Sequence, residues 1–110
     1  MKCPTIQHIT FSKQSKESLN EIKRLKNLSN LLSTFLVSGT LSTIFLGANS
    51  ATATYSIYST DFVTLTRAMR AVPVLTRSLI EKTAGRTHMS VTNPKEKQFW
   101  KAVYLGCKVN

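Results

Sequence analysis

The sequence predicts a mainly α protein, with one hydrophobic helix (membrane or signal) followed by a small basic helical hairpin. Three observations carry this expectation. No charge occurs in the 34 residues between Lys26 and Asp61. Apolar residues recur at helical spacing after Asp61. The 110-residue chain carries 15 Lys+Arg against 5 Asp+Glu, a formal +10, and is too short for more than one ordinary domain. Four regions follow: a basic N-terminal region (1–27), a hydrophobic segment (28–48), a polar uncharged linker (49–60) and a basic helical region (61–110).

Residues 1–15 show no sustained period and are expected to be loose. Lys16 to Asn30 reads as a moderately amphipathic helix, with Leu19, Ile22, Leu25 and Leu28 apolar and Lys23, Arg24 and Lys26 polar. It could run straight into the hydrophobic segment.

Leu28 to Ala48 is the most apolar stretch, with 11 of 21 residues apolar and seven Ser or Thr. About 20 residues suffice to cross the hydrocarbon core, and Ser and Thr can return hydrogen bonds to a helix backbone. Five basic residues from Lys13 to Lys26 precede it, and no Lys or Arg occurs from residue 49 to 66. The positive-inside rule then predicts a single-pass membrane protein with a cytoplasmic N-terminus. Ala51-Thr52-Ala53 has the small-x-small form of a signal-peptidase site, so a secreted basic peptide cut after Ala53 is the alternative. An organellar presequence and a buried helix of a small soluble bundle also compete. Gly39, Thr43 and Gly47 recur every four residues, which would let two such helices approach closely and form a homo-oligomer.

Residues 49–60 are small, hydroxylated and uncharged, fitting a linker or a short strand. Asp61 to Ala84 is the clearest amphipathic helix. Phe62, Leu65, Met69, Val72, Leu79 and Ile80 share an arc of about 100°. Arg67, Arg70 and Arg77 fall opposite, with Val63 and Val74 interrupting them. Thr60 or Asp61 can cap the start and Gly85 can close the end. Pro73 predicts a kink near Val72 or two short helices. Asn93-Pro94-Lys95-Glu96 then opens another helix, with Asn as N-cap, Pro at the first helical position and Glu placed for a capping box. Phe99, Trp100, Val103 and Tyr104 give it one apolar side, and Gly106 is a plausible terminator.

Catalytic motifs are absent. There is no Gly-rich phosphate loop, HExxH helix or CxxC pair. His8 and His88 stand in loop-like sequence, and Asp61, Glu81 and Glu96 read as caps or helix-surface charges. Neither a catalytic set, a metal site nor a cofactor site is expected. Cys3 and Cys107 lie 104 residues apart and form no disulfide framework. Cys107-Lys108-Val109-Asn110 is a poor prenylation box, since Lys is not aliphatic. Arg67, Arg70, Arg77, Lys82 and Arg86 are the candidate contacts for an anionic membrane surface. Nucleic acid ranks below lipid as partner, because no aromatic residues interleave with these bases. The function expected is non-enzymatic: a small basic membrane-directed protein binding an anionic membrane surface or a protein partner through its C-terminal helices.

Overall fold

Two short strands from opposite sides of the hydrophobic segment pair with each other. The computed structural model describes residues 5–25, 44–45 and 54–108. In it, β1 (Ile6–Ile9) runs antiparallel to β2 (Tyr55–Ile57), with Ile6 opposite Ile57 and Ile9 opposite Tyr55. Three steps along β1 therefore match two along β2, the mark of a bulge. Regular alternation would send Ile6 and Ile9 to opposite faces. The extra residue turns both inward, and both are buried. His8 takes the strained position, at φ 57°, and the Lys95 ammonium donates to the carbonyls of Gln7 (2.7 Å) and His8 (3.3 Å) beside it.

Four helices complete the described residues: α1 (Lys13–Lys23), α2 (Ser59–Ala71), α3 (Val74–Ser90) and α4 (Pro94–Cys107). The protein is mainly α. The N-terminal region departs from the loose segment expected of residues 1–15. A four-residue strand is too short to announce itself by period, and Ser12 starts α1 earlier by accepting from the Ser15 amide (3.4 Å). At α2 the Tyr58 amide donates to Asp61 Oδ2 (2.9 Å), so Asp61 acts from inside the first turn.

Pro73 divides the long amphipathic stretch into α2 and α3, as its missing amide requires. The division changes the helical phase. Phe62, Leu65, Met69, Val72 and Ile80 are buried as expected, whereas Leu79 is half exposed. Asn93 caps α4 through Oδ1, which accepts from the amides of Lys95 (2.8 Å) and Glu96 (3.4 Å).

Neither Gly85 nor Gly106 terminates its helix. A Cβ on Gly85 would lie 3.2 Å from the Tyr104 ring, and one on Gly106 would lie 3.1 Å from Thr66 Oγ1. The missing side chains let α4 approach α3 and α2, pairing α3 with α4 as the expected hairpin.

Phe99 sits at the centre of the core. The rings of Phe11 and Trp100 meet it edge-on at 5.0 Å, and those of Phe45 and Phe62 lie at 6.1 Å. Ile44 and Phe45 come from the hydrophobic segment, and both are buried in this core. Gly39, Thr43 and Gly47, the rest of that segment and the small-x-small sequence at 51–53 lie outside the described residues. No helix among the described residues is long and apolar enough to cross a membrane. Because β1 pairs with β2, the chain before and after the segment shares one folded body.

Candidate functional site

The exposed side of α3 combines what a water-facing helix normally separates. Leu75 is 82 % exposed, Leu79 49 % and Met89 79 %. Lys82 and Arg86 are exposed as well. At 100° per residue these five positions fall within an arc of about 80°, along about 21 Å of helix. An apolar patch, two cations and a further apolar side chain thus line one stripe. Val74 is also exposed at the α2–α3 corner. On α2, Val63, Arg67 and Arg70 are exposed at positions i, i+4 and i+7, which share a helix face.

Four of the five basic residues expected to contact an anionic surface are therefore exposed, and Arg77 is the correction. It is 8 % exposed. The break at Pro73 resets the phase, so Arg77 no longer continues the face of Arg67 and Arg70. Its Nη1 donates to the Met69 carbonyl in the last turn of α2 (3.3 Å), a favourable place for a cation. Its buried Nε has no hydrogen-bond partner among the described residues.

Arg86 is held rather than free. Its Nη2 donates to Glu21 Oε2 of α1 at 2.7 Å, with both side chains more than half exposed. Glu17 lines the same groove between α1 and α3. Nearby, the hydroxyls of Ser18 and Thr87 lie 2.6 Å apart and join the two helices.

A second polar cluster is centred on a buried carboxylate. Glu96 is 3 % exposed and, instead of closing a capping box, reaches the start of α1. Its Oε1 accepts from the Ser12 amide, and its Oε2 accepts from the Ser12 and Ser15 hydroxyls, each at 2.8 Å. Ser15 Oγ in turn accepts from the Trp100 indole N–H (3.0 Å). Each member is satisfied by the next, as a buried network requires. The expected surface role of Glu96 is overturned by donors 84 and 81 residues earlier in the chain.

His88 and Lys97 are each other's local partners. His88 Nδ1 lies 3.0 Å from the Lys97 carbonyl, while Lys97 Nζ donates to the His88 carbonyl (3.2 Å). Burial pushes the Cys107 thiol up to about 12, with Glu81 adding to the rise and Arg77 opposing it. A thiol so protonated is a poor nucleophile. Among the described residues, no group of three or more His, Cys, Asp or Glu side chains could hold a metal ion. Comparison with protein-family models, curated proteins and solved structures gives no match.

Sequence reasoning missed Leu75, Met89 and the Ser12–Glu96 junction. The signal for Leu75 was Pro73, two residues before it: a helix restarted there need not keep the earlier apolar face.

Proposed function

We propose that this protein is a non-enzymatic basic helical module that attaches to anionic membrane surfaces through the outer face of α2 and α3. One observation carries the proposal: Leu75, Leu79 and Met89 are exposed on the same stripe of α3 as Lys82 and Arg86. A helix with bases and exposed apolar residues on one side suits the boundary between headgroups and acyl chains. Arg67 and Arg70 extend the positive field along α2. The apolar residues enter the interface while the bases meet phosphate.

Attachment to the surface also fits the pairing of β1 with β2. A single span would separate the two flanks of residues 28–48, whereas a surface contact leaves β1 and β2 free to pair. Cleavage after Ala53 would remove β1, α1 and the buried Ile6, Ile9, Phe11, Leu19 and Ile22 from the core, leaving the remainder without much of its packing. The exposed apolar stripe further favours lipid over nucleic acid, since phosphate contacts alone do not call for leucine.

The test is sedimentation of the full chain with vesicles. Binding is expected on phosphatidylserine-containing vesicles and much less on phosphatidylcholine alone, with salt weakening it. Each base near such a surface contributes about 1 kcal/mol, so replacing Arg67, Arg70, Lys82 and Arg86 by Gln should abolish detectable binding. Leu75→Ser with Leu79→Ser should weaken it with all four bases present. Indifference to lipid charge, or tight salt-dependent oligonucleotide binding without vesicle binding, would overturn the proposal.

A further inference from the structure

Arg77 is a buried cation with an incomplete set of partners. It lies one turn inside α3, behind the corner formed by Val72, Pro73 and Val74. Its Nη1 reaches one neutral carbonyl at 3.3 Å, and its Nε is buried with no acceptor among the described residues. No carboxylate of the described residues forms an ion pair with it. Glu81, four residues along α3 and so on the same helix side, does not close that gap. A guanidinium taken out of water is unfavourable unless it is paired and hydrogen-bonded. An uncharged side chain of similar length would satisfy packing alone.

Placement says what kind of group would complete it. Arg77 lies behind the corner where Val74 and Leu75 are exposed, and the exposed Arg70 lies on the last turn of α2 before the corner. A planar guanidinium with a free Nε matches two oxygens of a phosphate, bound in parallel.

We propose that Arg77 is the buried half of a phosphate-binding site at the α2–α3 corner, completed by an oxyanion from outside the chain. Movement about Pro73 admits the oxyanion, Nε and an Nη donate to it, and Arg70 supplies a second charge at the mouth. This assignment rests on the reading of the α2–α3 face as a membrane contact, and it names phosphate as the headgroup chemistry recognised. The same chemistry occurs in a lipid phosphomonoester and in free phosphate.

Thermal unfolding of the full chain with inorganic phosphate, at constant ionic strength set by chloride, tests the site without any membrane. Phosphate at about ten times its dissociation constant should raise Tm by roughly 5 °C or more. Arg77→Met should lose this response while keeping a folded circular-dichroism spectrum. Arg77→Lys, which keeps the charge but not the fork, should retain only part of it. In the lipid arm, vesicles containing phosphatidic acid should bind wild type several-fold more tightly than phosphatidylserine vesicles of equal charge, and Arg77→Met should erase that preference. Stabilisation by phosphate without the lipid preference would assign the site to free phosphate. Equal phosphate responses in wild type and Arg77→Met would overturn the site and leave Arg77 as a cap on α2. Vesicle binding lost only on replacing the exposed bases would leave the surface proposal standing by itself.

Discussion

The junction of α1 with α4 and the outer face of α3 place their residues in opposite ways. At the junction a carboxylate, the Ser15 hydroxyl and an indole N–H are buried, the exposed Ser12 closes the cluster from outside, and each of these polar hydrogens has an acceptor. On α3, leucine and methionine face water beside exposed cations. Burial of polar groups normally costs stability, and exposure of large apolar groups forgoes it. The junction offsets its cost with internal hydrogen bonds. Among the described residues, the α3 stripe has nothing comparable to offset its exposure. The first is therefore a fastening, and under the proposed function the second is the surface that meets the membrane.

The sharpest way to break the comparison is at Glu96. Glu96→Ala should leave the buried Ser15 hydroxyl and the part-buried Ser12 amide and hydroxyl without their acceptor, at a cost of about 1–3 kcal/mol. A small domain has only about 5–15 kcal/mol in total, so the loss should be a large fraction of its stability. Chemical denaturation should show a large fall in midpoint. A change below about 1 kcal/mol would mean that water replaces the carboxylate and that the junction is not a fastening.

The two regions also differed in how far the sequence could reveal them. Helix positions were largely legible because their signals are local: Pro73 breaks, Asn93-Pro94 starts, and Phe99, Trp100 and Val103 repeat on one side. The β1–β2 pair was not, since Ile6 and Ile57 lie far apart and a bulge spoils the alternation. Glu96 was misassigned because the groups that bury it come from Ser12 and Ser15, at the other end of the chain. Arg77 and Leu79 were misplaced for one shared reason. Both were projected on a single continuous helix, and Pro73 had already ended it.

A smaller effect at neutral pH, growing on alkaline titration, should come from Cys107 at the end of α4. Its thiol is raised in the fold from 9.0 to about 12. The folded state then keeps a proton that the unfolded chain releases, so this contribution is whole below about pH 9 and is lost as pH rises toward 12. In a Cys3→Ser background, Ellman's reagent at pH 8 should label Cys107 only upon unfolding. Cys107→Ala should flatten part of the alkaline loss of stability, by up to about 4 kcal/mol. Rapid labelling of the folded chain would show that the end of α4 opens far more readily than its packing implies.

The smallest effect on stability should be the most informative about the α3 surface. Glu21→Gln removes the carboxylate that holds Arg86 and one of the two negative charges beside the stripe. Because both side chains are largely exposed, the lost pair should change stability by less than about 1 kcal/mol. Binding to phosphatidylserine vesicles should nevertheless strengthen several-fold, since Arg86 becomes available to phosphate and a repulsive charge is gone. Those two causes separate in a double-mutant cycle. If Arg86 must be released, Glu21→Gln should give little gain once Arg86→Gln is present. If general repulsion dominates, the gain should persist there and Glu17→Gln should reproduce it. No gain from either glutamate would place the membrane contact away from the α1 edge of α3, toward Leu75 and the Pro73 corner.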